Sequence, residues 1–376
     1  MHTLLSYALD IVVTSCRHCV HAAAIRRRRT AGARVGATTR PLPAAAGHQP
    51  AGVPFIAADV GGTHVRVGLV CGDSPTQVEH YRKYACADFP SLAAVLEAYL
   101  AGLPASGPVR HGVIACAGHP LEDGSLLSVN LPWPVAPQRI RAQLGFDDLR
   151  LVNDFEAVAH AVAAAGAQSL LRLTGPDLAP PGPVLVVGPG TGLGAAVRIP
   201  APGHAVVLAT EAGQAALTVS TEAEIDVLRE FLRDRRHVPI EHALSGPGLV
   251  RLHAALARVR GMQPGHATPD AITAAARSGD DPLARDTLEL FCGLLGGAVG
   301  DMALLYGAHG GVYLAGGILP QIRDFLEHSS FVRRFLDKGP MREALLRIPV
   351  TLVDHGQLGV IGAAGWYLDQ SQNDNE

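Results

Sequence analysis

The chain has 376 residues, of which 48% are hydrophobic, and its net charge at pH 7 is −3. This length suffices for two packed domains or one large domain, and the near-neutral charge argues against a nucleic-acid-binding protein. Six cysteines in so long a chain also argue against a small scaffold held together by disulfides.

Residues 1–52 differ in composition from the rest of the chain. They carry four consecutive arginines, Arg26 to Arg29, and Asp10 is their only acidic residue. Asp10 and Arg17 also interrupt the one apolar run near the roughly 18 residues of a membrane span, so we expect a soluble cytoplasmic protein. An arginine-rich, acid-poor segment such as residues 1–52 is typical of an organellar transit peptide, a disordered basic arm, or an extension added by a misassigned start codon. We expect a non-structural or misassigned tail.

The apolar pattern after residue 54 predicts alternating strands and helices. The predicted strands are 55–60, 65–70, 112–116 and 149–153, and a second set opens at 184. The predicted helices are 90–101, 155–165, 285–306 and one that begins at the capping box of Thr221 and Glu224. This alternation is typical of α/β proteins, and two such halves would leave a cleft where small ligands bind.

Two stretches repeat one pattern, in which a glycine-rich turn joins two apolar strands. Residues 55–70 read FIAADVGGTHVRVGLV, and residues 184–199 read VLVVGPGTGLGAAVRI. Glycine lets backbone N–H groups approach an anion, and Asp59 at the first strand end could hold the water shell of Mg²⁺. The second turn, 188–194, fits neither a Walker loop nor a dinucleotide fingerprint. The repeat predicts a duplicated α/β protein that binds a polyphosphate from both sides.

Six sequence blocks follow one another in the order found in bacterial glucokinases. They are DVGGT (59–63), NDF (153–155), GPGTGLG (188–194), TEAGQ (210–214), EHALSGPGLV (241–250) and GGVYLAGGI (310–318). From about residue 55 to 370 the chain resembles bacterial glucokinase, in the superfamily of hexokinase, actin and the Hsp70 ATPase domain. The resemblance implies an α/β fold of the two-domain, actin-like ATPase (ribonuclease H-like) type with a cleft between the domains. The implied small domain is 53–164 plus 356–372, and the implied large domain is 165–355.

The resemblance implies phosphorylation of a sugar 6-hydroxyl by ATP, with Mg²⁺ as cofactor and Asp154 as the general base. Phosphoryl transfer needs mainly positioning and charge neutralisation, which these residue types supply; an Asn-Asp pair is also a common helix cap. The implied sugar-binding residues are Asn130, Asn153, Asp154, Glu211, Gln214 and Glu241. The implied ATP-binding residues are Ala58, Asp59, Val60, Gly61, Gly62, Thr63, Gly188, Gly190, Thr191, Gly192, Gly194, Gly316 and Gly317, with Asp59 also holding Mg²⁺ through water.

One position departs from the family pattern. The family has Glu-Gly-Gly-His where this chain has Glu211-Ala212-Gly213-Gln214. Glutamine can donate and accept hydrogen bonds but cannot carry charge, so we expect weakened or altered sugar preference with the ATP site retained. Two alternatives are a sugar kinase of the ROK group, whose C-x-C-G-x-x-G-C zinc cluster this chain lacks, and a catalytically weak sugar sensor. A homodimer is implied by the resemblance alone.

Overall fold

The order of strands and helices in the structure follows the predicted order. The computed structural model describes residues 52–72, 74–104, 107–121, 124–127, 131–162, 170–202, 205–354 and 356–373. The predicted tail, apart from its last residue, lies outside these residues, as do Asn130 and the predicted domain boundary at 164/165. Residues Ala45–Glu376 group as one compact unit, and the predicted domain limits stay a prediction.

The elements are numbered here in chain order. The strands are β1 (Phe55–Val60), β2 (His64–Val70), β3 (Val78–Ala85), β4 (His111–Cys116), β5 (His119–Pro120), β6 (Leu126–Leu127), β7 (Asp148–Val152), β8 (Leu170–Thr174), β9 (Val184–Pro189), β10 (Leu193–Pro200), β11 (Ala205–Thr210), β12 (Gly311–Leu314) and β13 (Val350–Val353). The α-helices are α1 (Leu92–Ala101), α2 (Pro137–Leu144), α3 (Asp154–Ala161), α4 (Glu222–Phe231), α5 (Ile240–Ala243), α6 (Gly246–Val259), α7 (Pro269–Ser278), α8 (Pro282–Leu305), α9 (Arg323–His328), α10 (Phe331–Phe335), α11 (Arg342–Leu345) and α12 (Leu358–Asn373).

The two main sheets share one strand order over five strands, and the second adds β8 as an antiparallel sixth strand at its edge. The first runs β3-β2-β1-β4-β7 and the second runs β11-β10-β9-β12-β13-β8. In each, a three-stranded antiparallel meander continues into parallel strands, because β1 pairs with β4 and β9 pairs with β12 in parallel. Both predicted glycine turns are the hairpin turns at the start of a meander. The predicted duplication of an α/β unit is therefore confirmed.

Helices α3 and α12 pack against each other and contact both sheets. Ala159 of α3 is buried beside Val186 and Ala196 of the second sheet, while Val360 of α12 is buried in the core of the first. A β-carbon on Gly362 would overlap the carbonyl of Ala157, so the two helix backbones are in direct contact. The small residues of both helices permit this approach, because a larger side chain at 362 has no space.

Helix α8 is long and apolar enough to cross a membrane by length and composition alone. No uninterrupted apolar run of this length exists in it, which is why the sequence pattern did not mark it as a candidate span. In the structure, 72% of its most apolar window is buried inside the protein. This burial is that of a core helix, which passes the same test of length and composition.

A buried polar cluster fixes α12 to the first sheet. The Tyr367 hydroxyl donates a hydrogen bond to Asp148 Oδ2 at 2.8 Å, and Arg150 Nε donates to the same oxygen at 2.8 Å. Tyr367 and Asp148 are 0% and 3% exposed. A hydrogen bond to a buried charge is stronger than one between neutral groups.

We expect Tyr367→Phe to lower the free energy of unfolding by about 1–3 kcal/mol, because Asp148 loses a donor without access to water. Thermal or urea unfolding measures the change. Tyr84→Phe is the matched control, since the buried Tyr84 hydroxyl has no hydrogen-bond partner among the described residues. We expect that variant to stay within about 0.5 kcal/mol of the wild type. Equal losses in the two variants would contradict this account.

Candidate active site

Asp154 begins helix α3 at the carboxyl edge of the first sheet. Asn153 is the N-cap, and its Oδ1 accepts hydrogen bonds from the amides of Phe155 and Glu156 at 3.0 Å each. The Phe155 amide also lies 3.0 Å from Asp154 Oδ1 and donates to it. The parallel strands β1, β4 and β7 all end at this edge, which brings Asp59 and Asp154 to one place although 95 residues separate them in the sequence. Asn153 is thus a helix cap that also borders the carboxylate.

Two other predicted site carboxylates, Asp59 and Glu211, lie within electrostatic range of Asp154. The pKa of Asp154 is raised to about 6, mainly by burial, then by the negative charge of Asp59, with a smaller contribution from Glu211. The backbone amides that donate to Asp154 oppose this rise in pKa. Burial also raises the pKa of Asp59, against the lowering effect of Arg66. At neutral pH Asp154 is mostly ionised yet basic enough to accept a proton, which suits a general base.

Arg66 is a site residue that the sequence analysis missed. It lies opposite Asp59 in the β1–β2 register, and its Nη1 is 3.1 Å from Asp59 Oδ2. The ion pair partly offsets the negative charge of the two carboxylates, Asp59 and Asp154. The sequence offered one sign of this role, a single arginine among the mostly apolar residues of the strand HVRVGLV.

Cys116, at the end of β4, also borders the carboxylates. Burial and the charges of Asp154 and Asp59 raise the pKa of its thiol to about 12. The thiol therefore stays neutral at this edge of the sheet, and it donates to the Ala117 carbonyl at 3.3 Å. Nothing in its sequence surroundings marked it as a neighbour of the site.

The first glycine turn is held by hydrogen bonds of its own backbone. The Gly61 amide donates to the His64 carbonyl at 3.0 Å, and the Cys86 amide donates to the Thr63 carbonyl at 2.9 Å. Gly61 thus uses its amide to close the turn, and the assignment of this turn to ATP binding stays a prediction. The flanking Ala58 and Val60 are buried in the core, so their side chains support the turn from behind. Gly359 of α12 packs directly on the Asp59 carboxyl group.

The second glycine turn is closed in a similar way. The Gly190 amide donates to the Gly192 carbonyl at 2.7 Å, and the Gly190 carbonyl accepts from the Gly246 amide at 2.8 Å. A β-carbon on Gly188 would overlap the Ala315 carbonyl, so this glycine permits close packing of β9 on β12. By contrast, a β-carbon on Gly190 would meet no other atom within 4 Å.

The remaining predicted ATP-side residues differ in their surroundings. Gly316 adopts a φ of +98°, and a β-carbon there would lie 2.5 Å from the Pro189 carbonyl oxygen. Gly317 faces open space, and Thr191 is exposed. The turn 188–194 and the segment 315–317 are therefore in contact, as neighbouring parts of one candidate nucleotide site.

Glu241 joins the predicted sugar side to the second glycine turn. Its Oε2 accepts a hydrogen bond from the Leu193 amide at 3.3 Å and lies against Gly192. Glu211 and Gln214 are exposed at the two ends of a short turn, in which the Gln214 amide donates to the Glu211 carbonyl at 2.9 Å. The sequence pattern predicted only a sugar contact for Glu241, because its contact with the turn depends on tertiary packing.

Phe155 connects the candidate base to the second glycine turn. Its ring lies where a β-carbon of Gly194 would be, so the two residues are in tight contact. The side chain next to Asp154 thereby fixes the position of α3 relative to β10. The sequence block NDF includes this residue, but the contact depends on tertiary packing that the sequence does not display.

The family model for glucokinase matches residues 56–370 of the chain. The chain belongs to the glucokinase family. A "Glucokinase-like protein" of Xylella fastidiosa strain 9a5c is 54% identical and covers 84% of this chain and 95% of its own length. A "Glucokinase" of Saccharophagus degradans is 38% identical, covering 84% of this chain and 98% of the relative.

Two solved structures share the fold of this chain. The crystal structure of a glucokinase from an Antarctic psychrotroph superposes with a TM-score of 0.72 at 33% identity, covering 83% of this chain and 98% of that one. A glucokinase of Balamuthia mandrillaris, solved in complex with glucose, has a TM-score of 0.70 at 22% identity and covers 85% and 94% of the two chains. The predicted actin-like, two-domain α/β fold and the assignment to the sugar kinases are confirmed.

Proposed function

We propose that this glucokinase-family enzyme transfers the γ-phosphoryl group of ATP to the 6-hydroxyl of D-glucose, with Asp154 as general base. The observation that carries the proposal is the position of Asp154 at the start of α3, where burial and the charges of Asp59 and Glu211 raise its pKa to about 6. A carboxylate of this basicity can take the hydroxyl proton as the oxygen attacks phosphorus. The names of the relatives support glucose as the sugar.

The residues of the site suit ATP and Mg²⁺. Asp59 offers a hard carboxylate oxygen, and among the described residues no group of three or more His, Cys, Asp or Glu side chains could form an all-protein metal cage. Mg²⁺ in nucleotide sites is commonly held by one carboxylate, waters and phosphates, so a water-mediated contact with Asp59 fits. Gly190 and Gly317 leave open space for phosphate or nucleoside atoms. Bound Mg²⁺ supplies charge neutralisation on the phosphate oxygens.

The chain's own residues perform the remaining steps. Asn153, Glu211, Gln214 and Glu241 would hold the sugar hydroxyls, together with Asn130 as the resemblance implies. Asp154 would align the 6-hydroxyl and accept its proton, while Arg66 keeps the charge of Asp59 compensated. Closing the cleft around the sugar would exclude water, which could otherwise accept the phosphoryl group.

Assembly and domain limits belong to the same proposal. We propose a cytoplasmic homodimer with a small domain of 53–164 plus 356–372 and a large domain of 165–355, preceded by a non-structural tail. Light scattering on the purified chain measures the oligomeric state. The mass of the native protein determines whether residues 1–52 are retained.

A second candidate is a kinase for a different hexose, and the exposed Gln214 at the family's histidine position favours it. A coupled ADP-release assay with glucose, mannose, fructose and N-acetylglucosamine distinguishes the two kinases. The protein is expected to turn over glucose. Binding of a sugar without turnover of any would contradict the proposal and favour a sensor.

We expect Gln214→His to lower the KM for glucose by about 3–10-fold, because a rigid imidazole that can donate or accept would restore the family's hydrogen bond to a sugar hydroxyl. The KM for ATP should stay within twofold, since Gln214 lies on the sugar side. Steady-state kinetics with each substrate varied in turn provide both values. An unchanged sugar spectrum and an unchanged KM for glucose would show that position 214 does not determine sugar preference.

A further inference from the structure

His237 lies beside the predicted sugar-binding turn although no sequence block pointed to it. It is exposed in the connection between α4 and α5, and its Nε2 is 2.9 Å from the backbone carbonyl oxygen of Gln214. A carbonyl oxygen can only accept, so Nε2 carries the hydrogen and donates it. The imidazole thus holds the main chain of the turn and leaves the Gln214 side chain free.

The bond joins the two segments of a short two-stranded clasp, formed by residues 214–217 and 237–240. Within the clasp the Leu217 amide donates to the Val238 carbonyl at 2.9 Å, and the Ile240 amide donates to the Ala215 carbonyl at 2.8 Å. Ala216 and Pro239 form an antiparallel bridge between these bonds. One strand of the clasp follows the turn that carries Glu211 and Gln214, and the other leads directly into Glu241.

The turn is also fixed from its buried side. Ala212 is 8% exposed, and a β-carbon on Gly213 would overlap the Leu193 carbonyl of the second glycine turn. The amide of the same Leu193 donates to Glu241. The buried side of the turn is therefore held by packing, while on the solvent side the Gln214 carbonyl is held by the His237 hydrogen bond.

We propose that His237 is a positioning residue for the sugar site, which sets the Glu211–Gln214 turn at a fixed separation from Glu241. The inference rests on the proposed function of these three residues in sugar binding. His237 touches no substrate in this arrangement. Its loss leaves Asp154 and both glycine turns intact, so the expected effect is confined to sugar affinity.

The test is a steady-state comparison of His237→Ala with the wild-type chain. We expect the KM for glucose to rise about 3–10-fold, the range that one hydrogen bond carries, with kcat and the KM for ATP within twofold of wild type. His237→Gln should restore most of the lost affinity, because its side-chain amide can donate to the same carbonyl. His328→Ala is the matched control, because His328 is also exposed and its Nδ1 lies 2.8 Å from a backbone carbonyl, that of Asp324 in α9. That variant should change none of the three constants.

A role in folding alone would lower the melting temperature of His237→Ala without raising the KM for glucose, and this result would overturn the inference. The inference is equally overturned if His237→Gln behaves like His237→Ala. Failure of the proposed function would give a different result, because the wild-type chain would then turn over no hexose. In that case the inference would fail as well. An active wild-type enzyme whose KM for glucose is unaffected by His237→Ala removes the inference only.

Discussion

Asp154→Asn is expected to lower kcat by about 10²–10⁴-fold, the usual loss when a general base is removed. The asparagine keeps the size of the side chain and can still accept from the Phe155 amide, so the fold and sugar binding should be retained. Glu156→Gln is the matched control, since Glu156 lies on the same helix and its Oε1 accepts from Trp366 Nε1 at 3.0 Å, as a glutamine oxygen also can. We expect this control to keep kcat within about threefold. A similar loss in both variants would contradict a specific role of Asp154.

The pH dependence of the same group provides an independent readout. A base must be deprotonated, so kcat/KM for glucose should rise with pH through the pKa of about 6 and level off above it. Part of this raised pKa comes from the charge of Asp59, so Asp59→Asn should move the rise to lower pH, whatever its effect on the maximal rate. A rise that stays at the same pH in Asp59→Asn would show that the two carboxylates are not coupled.

The raised pKa also has a consequence for stability. Burial disfavours the ionised form in the folded chain, so the folded state is most favoured below the ordinary pKa of 3.8 and loses this contribution as pH rises through about 6. The difference between these pKa values corresponds to about 3 kcal/mol, and the partial exposure of Asp154 reduces it. We therefore expect Asp154→Asn to raise the free energy of unfolding by about 1–2 kcal/mol at pH 8, with no gain below pH 4. Urea unfolding at both pH values measures this.

Gly194→Ala is expected to lower kcat/KM by about 10²-fold or more, because the new β-carbon occupies the space of the Phe155 ring and displaces the residue next to Asp154. A shift of about 1 Å in a reacting group can cost this much. The double variant Gly194→Ala/Phe155→Leu should recover at least tenfold, since the smaller side chain makes room for the methyl group. The four proteins of this cycle are compared by steady-state kinetics and thermal unfolding.

Gly190→Ala is the contrasting control for the same turn. A β-carbon at Gly190 meets nothing within 4 Å, so this variant should fold with the stability of the wild type. If the open space receives ATP, as proposed, the methyl group raises the KM for ATP and leaves the KM for glucose unchanged. Equal destabilisation by Gly190→Ala and Gly194→Ala would contradict the packing described for the turn.

The sequence predicted those features that depend on local residue patterns. The apolar strands around DVGGT and GPGTGLG predict two hairpins, and both are present as the starts of equivalent meanders. The capping box of Thr221 and Glu224 is confirmed, with both of its hydrogen bonds formed. Such features depend on neighbouring residues only, and the family order of the blocks then supplied the fold.

The contacts that the sequence did not predict depend on register and packing. Arg66 reaches Asp59 only because β2 pairs with β1 in one particular register. Phe155 meets Gly194, and Glu241 meets Leu193, across elements that lie far apart in the chain. The sequence also could not predict that the Gly61 and Gly190 amides form hydrogen bonds inside their own turns. A glycine is the same letter in the sequence whether its amide is bonded or free.

The contact between α3 and α12 places the last helix of the chain against the candidate active site. Gly359 abuts the carboxyl group of Asp59, and Gly362 abuts the main chain of Ala157, three residues beyond Asp154. The last helix therefore packs directly on Asp59 and on the helix that carries Asp154. A deletion that removed α12 would therefore remove this support from the candidate site.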